Sequence, residues 1–252
     1  MATTHLKTPL LLLAGLCFCV KVAAEPLTKA ESADVQKKLE AFEKGTVQLF
    51  EISDSEEDWR KTIAYFRSNT NAVSLKSKLV VSRCFALAGQ FPQAASLAEE
   101  YVKVYSNDFR GWRILGGASC ETKSYPQAVW AYTNAVMLGA EDCYVPLTAA
   151  ALKAQRFDII KDIVPHLLIL KEASRTEQDD KLSIVLVLTV YSLNTDQSDV
   201  FFKAVEGFEA KDILARDDVA KAVSIGCKRF GGSKDVDALC SKIKQALSKK
   251  SE

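Results

Sequence analysis

Phe91-Pro92-Gln93-Ala94 and Tyr125-Pro126-Gln127-Ala128 are two copies of one pattern, an aromatic residue followed by Pro-Gln-Ala, and they lie 34 residues apart (125 − 91). Both belong to residues 79–140, where the chain presents nearly the same arrangement of apolar and small residues twice. A fixed period of about 20 to 50 residues is typical of arrays in which one structural unit stacks on the next. The repeat therefore predicts a stacked array at the centre of the chain.

Each unit of the array is predicted to be a pair of antiparallel helices. Apolar and small residues recur at helical spacing over residues 79–87 and 111–121, and each run precedes the aromatic-Pro-Gln-Ala turn. Pro92 and Pro126 suit the first turn of the second helix, because a backbone N–H would have no partner there. One such hairpin cannot bury its apolar face, so the hairpins must stack.

The pattern resembles the tetratricopeptide repeat, a helical hairpin with a period of about 34 residues. The resemblance rests on Trp112-Arg113-Ile114-Leu115-Gly116, which matches W-x2-L-G, and on Ala128 with Tyr132 four residues later, which matches A-x3-F/Y. It covers residues 74–142. It implies an all-α fold, a right-handed superhelical array of antiparallel helical hairpins, or α-solenoid.

The first 24 residues are predicted to be a secretory signal peptide. Lys7 precedes an apolar run, residues 10–20, that is shorter than the roughly 20 residues of a membrane-spanning helix, and the small residues up to Ala24 suit cleavage there. The chain has no Asn-x-Ser/Thr sequon, which fits a bacterial protein. We therefore expect a periplasmic or secreted protein. The alternatives are an uncleaved anchor and a lipid on Cys17 or Cys19.

The repeats divide the chain into four predicted segments. These are the signal peptide (1–24), an N-terminal helical lead-in that caps the array (25–72), two clear repeat units (73–142), and degenerate helical hairpins with a C-terminal cap (143–252).

Several local structures are expected outside the two clear units. A helix is expected over residues 32–50, with Val35, Leu39 and Phe42 facing inward. Residues 46–52 also suit an extended segment. A second helix should begin at Ser55. Pro165 should kink or divide a helix over residues 159–170. A polar connection is expected over 175–181, then a helix over 183–193, with a buried strand as the alternative. Helices over 217–230 and 233–249 complete a final hairpin.

Five cysteines remain after processing, an odd number that leaves at least one free thiol. Cys227 and Cys240 lie on opposite arms of the last hairpin, so a disulfide between them is geometrically possible. Cys84 and Cys120 fall within repeat helices, where small buried residues are expected.

The sequence favours a non-catalytic protein. With 33 basic and 32 acidic residues, it has no charge excess that indicates binding to nucleic acid or to a membrane surface. His166 is the only histidine after processing, and an apolar helix is an ordinary place for a structural histidine. No phosphate loop, nucleophile elbow or zinc motif is present. We therefore predict no catalytic residue, cofactor or metal; a hydrolase with His166 as its base is the remaining enzymatic alternative.

The resemblance implies instead a concave groove, lined by the first helix of each unit, that binds a peptide or helix of another protein. Basic residues in the groove suggest an acidic or carboxylate-bearing partner segment. The competing hypothesis is a fixed structural subunit of an envelope or secretion assembly; membrane contact is expected only through an uncleaved signal or a membrane partner. Helical phase predicts eight lining residues: Lys76, Leu79, Arg83, Arg110, Arg113, Gly117, Tyr144 and Leu147.

Overall fold

A computed structural model describes residues 26–53, 55–173, 176–231 and 234–249. Within these residues the chain is all-helical and contains no strand, as the sequence predicts. The predicted signal peptide lies outside the described residues. Short 3-10 turns occur at Phe50–Ile52, Thr70–Ala72 and Glu141–Cys143. The α-helices in this part of the chain are α1 (Lys29–Glu43), α2 (Glu56–Ser68), α3 (Lys78–Leu87), α4 (Phe91–Val104), α5 (Phe109–Glu121), α6 (Tyr125–Met137), α7 (Tyr144–Lys153), α8 (Phe157–Glu172), α9 (Gln178–Thr195), α10 (Ser198–Val205), α11 (Ala210–Leu214), α12 (Asp217–Phe230) and α13 (Lys234–Lys249).

The two clear repeats form the hairpins α3/α4 and α5/α6. The helices α4 and α6 begin at the aromatic residue of each tetrapeptide, with Pro92 and Pro126 in their first turns. Gly89, just after α3, has a φ of +69°, a conformation that favours glycine at a helix end. The sequence therefore placed both turns of the repeat correctly.

Small residues allow the helices of the array to pack closely. Each helix from α1 to α9 packs against the next in the chain, and α3 also contacts α5. Ala94 and Ala128 are fully buried, and Trp112 is buried beside them in the same core. A Cβ on Gly116 would lie 2.8 Å from the ring of Tyr132, so α5 and α6 approach each other at a point that only glycine permits. This arrangement is consistent with an α-solenoid-like array.

The buried apolar side chains form two cores that share α9 and α10. The larger core extends from α1 to α10, whereas the smaller one joins α9 and α10 to α11, α12 and α13. Leu182 and Val185 of α9 belong to the smaller core, and Leu188 and Tyr191 belong to the larger one. Residues 183–193, for which a strand was the alternative, are thus a helix with apolar neighbours on more than one side.

Two expectations for this region need correction. The helix is not divided at Pro165, because α8 continues through that residue from Phe157 to Glu172, and the kink stays a prediction. The connection before α9 is also shorter than expected, since residues 178–181 already form the first turn of that helix.

The lead-in forms two helices joined by an irregular segment. The helix expected over residues 32–50 is shorter than that: α1 ends at Glu43, and Gly45 follows with a φ of +74°. The inward residues Val35, Leu39 and Phe42 are buried as predicted. The side chain of Ser55 accepts a hydrogen bond from the Asp58 amide and caps α2.

A disulfide joins Cys227 of α12 to Cys240 of α13, which confirms the pairing that the hairpin allows. Cys84, Cys120 and Cys143 are free thiols. None of the described helices combines the length and apolar character that crossing a membrane requires.

Candidate functional site

The eight predicted groove residues lie on α3, α5 and α7 or immediately before α3, and we refer to the surface that these helices present as the first-helix face. Leu79 and Leu147 must be removed from the prediction. Their side chains are 0% and 1% exposed, because both point into the larger core and offer a partner no surface. The six others are at least partly exposed.

Lys76 contacts the end of α1 rather than open solvent. Its Nζ donates a hydrogen bond to the backbone carbonyl of Glu43. The carboxylate of Glu43 accepts hydrogen bonds from the hydroxyls of Ser74 and Ser77, at the start of α3. These two hydroxyls lower the pKa of Glu43, so the carboxylate is charged near neutral pH. The N-terminal end of the first-helix face therefore already holds a carboxylate.

Arg83 contacts the irregular segment that follows α1. Its Nε donates a hydrogen bond of 2.8 Å to the hydroxyl of Ser53, which is 1% exposed. Leu49 and Ile52 of the same segment are buried in the larger core. The segment is thus packed firmly against α3.

Arg110 is part of a cluster at the joint between α4 and α5. Its guanidinium donates two hydrogen bonds to Asp108, of 2.9 Å from Nε to Oδ1 and 2.7 Å from Nη2 to Oδ2. Tyr101 of α4 donates a hydrogen bond of 2.7 Å to the same carboxylate. The guanidinium carbon also lies 5.9 Å from the ring centroid of Phe42, within reach of a cation–π interaction.

The pKa of Asp108 reflects this cluster. Burial acts to raise the pKa, but the hydrogen bonds from Arg110 and Tyr101 outweigh it and hold the pKa below its usual value. Burial, and then the hydrogen bond to Asp108, raise the pKa of Tyr101. Both groups therefore keep their ordinary charge states near neutral pH.

The C-terminal part of the first-helix face is the more open part. Arg113 pairs with Asp142 at 2.6 Å, and their side chains are 38% and 56% exposed. Gly117 is partly exposed. Tyr144 stacks on the exposed ring of His166, with ring centroids 5.2 Å apart and planes 13° apart. An arginine, a glycine and a tyrosine–histidine pair are therefore accessible on α5, α7 and α8.

The sequence interpretation missed residues 42–53 as part of this site. Phe42, Glu43 and Ser53 contact Arg110, Lys76 and Arg83, respectively. The apolar residues Val47, Leu49 and Ile52, spaced through this stretch, were the signal that the segment packs against another part of the chain. Nothing in the sequence showed that the contacted surface is the first-helix face.

A second accessible region lies on α6. Trp130 and Met137 are 51% and 79% exposed and seven residues apart, so they share one side of the helix. The ring of Trp130 packs edge-on against Trp112, with centroids 4.7 Å apart. Two large apolar side chains of α6 thus face solvent on one side of the helix, with Thr133 and Asn134 between them.

The remaining thiols and acidic groups of the described residues form neither a reactive thiolate nor a metal site. Burial raises the pKa of Cys84 and Cys143 to about 12 and that of Cys120 to about 11, so all three are protonated near neutral pH. No cluster of three His, Cys, Asp or Glu side chains in this part of the chain is arranged to hold a metal ion.

Lys171 lies at a polar cavity of about 210 Å³ beside α8 and α10. Its side chain is 3% exposed. The ammonium group donates to the carbonyls of Lys203, in the last turn of α10, and of Glu206, directly after α10, and it pairs with Glu172. The three donors of the ammonium group are thereby used, so this lysine holds α8 against α10.

Neither a scan against protein-family models nor a search of curated proteins found a match for this chain. The likeness to the tetratricopeptide repeat therefore rests on the repeated residues and the hairpins described above.

Proposed function

We propose that this protein is a non-catalytic, tetratricopeptide-like scaffold or adaptor of the bacterial cell envelope, which binds a segment of another protein on its first-helix face. One observation carries the proposal: this face already holds an acidic and aromatic segment, residues 42–53, through Lys76, Arg83 and Arg110. The same surface thus has the chemistry to hold a peptide.

The accessible groups on the C-terminal part of the face suit an acidic partner segment. Arg113 carries a planar guanidinium, which can bind a carboxylate through two parallel hydrogen bonds. Its present partner, Asp142, is 56% exposed, so a partner carboxylate can replace it at small cost. Tyr144 adds an aromatic surface beside it. We therefore expect a partner with a carboxylate next to an apolar residue.

The test is a pull-down from bacterial envelope extract with the purified mature chain. The variant Arg113→Ala/Tyr144→Ala should retain its helical circular dichroism spectrum, because both side chains are partly exposed, yet retain less of the partner and lose part of the salt dependence of binding. Arg156→Ala is the matched control, since this arginine also pairs with an exposed aspartate but lies outside the face. Equal retention by all three chains would show that the partner does not bind here.

The structure also changes the choice of variants. Replacing Arg83 and Arg110 by alanine tests folding as well as binding, since Arg83 bonds to buried Ser53 and Arg110 neutralises Asp108. Arg113 and Tyr144 are the better positions because their contacts are more exposed.

The second candidate function is a fixed structural subunit of an envelope assembly. The observation that favours it is the pair of exposed apolar side chains on α6, Trp130 and Met137, because solvated patches of this kind often mark permanent contacts. Size fractionation of gently lysed cells separates the two functions. A scaffold should be recovered partly as free protein, whereas a fixed subunit should be recovered only in a large complex.

Export is part of the proposal. It is supported by the disulfide between Cys227 and Cys240, since such bonds form and persist in oxidising compartments.

A further inference from the structure

The helix α1 is attached to the rest of the array differently from the segment that follows it. We refer to α1 as the arm. It contributes one buried stripe, Val35, Leu39 and Phe42, and it pairs with α2 through Lys38–Asp58 and Lys61–Glu31, whose side chains are 29–40% exposed. Half-exposed pairs of this kind hold weakly and are screened by salt. Apart from the hydrogen bonds of Glu43 at its C-terminal end, the arm is thus attached by one apolar stripe and weak ion pairs.

The chain after the arm has the geometry of a hinge. Gly45 has a φ of +74°, and a Cβ at this position would have no atom within 4 Å, so nothing packs against this point. Residues 44–49 form no helix, whereas Leu49 and Ile52 are buried beyond them. A rotation at Gly45 that breaks the two hydrogen bonds from Thr46 to the Ala41 carbonyl would move the arm and leave the buried segment in place.

The surface under the end of the arm is polar and cationic. The carboxylate of Glu43 accepts hydrogen bonds from the hydroxyls of Ser74 and Ser77, and its backbone carbonyl accepts one from Lys76. Phe42, which is 3% exposed, covers the guanidinium of Arg110. Two adjacent residues of the arm, an aromatic and an acid, therefore fill a site that α3 and α5 provide.

We infer that α1 is an autoinhibitory arm, in which Phe42 and Glu43 occupy a site that takes an aromatic–acidic pair of the partner when the arm is displaced. The inference rests on the proposed function and identifies the partner segment as an aromatic residue followed by a carboxylate. The incoming pair makes the contacts that Phe42 and Glu43 release, whereas the burial of Val35 and Leu39 is lost when the arm is displaced and must be offset by further contacts of the partner. The arm prevails in the free protein because it is tethered and therefore present at high effective concentration.

The test measures binding of a fluorescein-labelled synthetic peptide, residues 36–47 of this chain, to the full mature protein by fluorescence anisotropy. The Phe42→Ala/Glu43→Ala protein should bind the peptide at least about tenfold more tightly than wild type, since its own arm no longer competes. Lys37→Ala, at an exposed position of the same helix, should bind it as weakly as wild type does. A peptide with alanine at both positions should bind none of the three. Equal affinity of wild type and double variant for the labelled peptide would overturn the inference.

Hydrogen exchange on the wild-type protein tests the arm even where the double variant fails to fold. Amides of α1 should exchange earlier than those of α3 to α6, by local opening at Gly45. Exchange of α1 only together with α3 to α6 would overturn the inference.

The pull-down separates this inference from the proposed function. A partner retained equally by wild type and the double variant would overturn the autoinhibitory role of the arm but not partner binding on the first-helix face. If the double variant binds the peptide more tightly but neither protein retains a partner, the autoinhibitory role of the arm is supported and the proposed partner binding is contradicted.

Discussion

Asp108 is a single residue that contacts two helices at once. Its carboxylate caps α5 by accepting a hydrogen bond from the Arg110 amide, and it also accepts hydrogen bonds from the guanidinium of Arg110 and from Tyr101 of α4. The side chain is only 16% exposed, so the charge depends on these donors. Asp108 thereby fixes how the two repeat units meet.

Replacing Asp108 by asparagine should destabilise the protein by about 1–2 kcal/mol at neutral pH, because asparagine keeps the cap but loses the ion pair. The pKa of Asp108 is lowered in the folded state, so its contribution is complete above the unfolded pKa of about 3.9 and is lost as the pH falls through the folded pKa. Urea unfolding of both chains at neutral pH and at about pH 3 should show the difference shrink in acid. Asp158→Asn, at a fully exposed pair, should change little. A penalty independent of pH would contradict this assignment.

The sequence identified the basic residues of the site but not their present partners. Helical phase correctly placed Arg110 and Arg113 on one helix, yet Arg110 turns back to Asp108 while Arg113 reaches Asp142, 29 residues away. Phase also could not separate Leu79 from its polar neighbours, because a residue near the edge of a helical face is buried or exposed according to what packs beside it. That depends on tertiary contacts, here with the larger core.

Among the elements, α6 packs through small residues, of which Ala128 belongs to the repeated tetrapeptide. Ala128 is fully buried, and the repeat places it against the neighbouring helix. Ala128→Glu would bury an unpaired charge, so we expect a loss of at least about 3 kcal/mol in the free energy of unfolding. Gln93→Glu is the control, since Gln93 is exposed in the first turn of α4. Thermal melts of the two variants and wild type provide the measurement, and an unchanged melting temperature for Ala128→Glu would contradict the packing.

The element that was hardest to predict is α9. Its sequence is a nearly continuous apolar run with β-branched residues, which is also typical of a buried strand. The structure explains the ambiguity: Leu182 and Val185 pack into one core and Leu188 and Tyr191 into the other, so no polar face remains to reveal the helical period. By contrast, α4 and α6 were predictable because proline and an aromatic mark their first turns. The five-residue α11 was missed because it is too short for a periodic pattern.

For the whole molecule, α9 joins two cores that otherwise share only α10. The three tryptophans, Trp59, Trp112 and Trp130, all belong to helices of the larger core, so their fluorescence reports on that half, whereas far-ultraviolet circular dichroism reports on every helix. Because neither core is complete without α9, the two signals should give coincident unfolding transitions in urea.

Leu188→Ala sharpens this test. Leu188 is fully buried on the side of α9 that faces the larger core. Its replacement by alanine should lower the free energy of unfolding by about 2–5 kcal/mol, and the urea midpoint should fall equally in both signals. Met137→Ala is the control, because Met137 is 79% exposed. A circular dichroism transition that remains behind after the fluorescence change is complete would show that the smaller core unfolds separately.

The burial of three thiols has a chemical consequence for the disulfide between Cys227 and Cys240. Exchange between a thiol and a disulfide requires the thiolate, and thiols with pKa values of about 11 to 12 are deprotonated in at most on the order of one molecule in ten thousand at pH 7. Cys84, Cys120 and Cys143 therefore attack the bond between Cys227 and Cys240 only very slowly. Once the array has folded, the chain carries free cysteines and a disulfide together without mispairing.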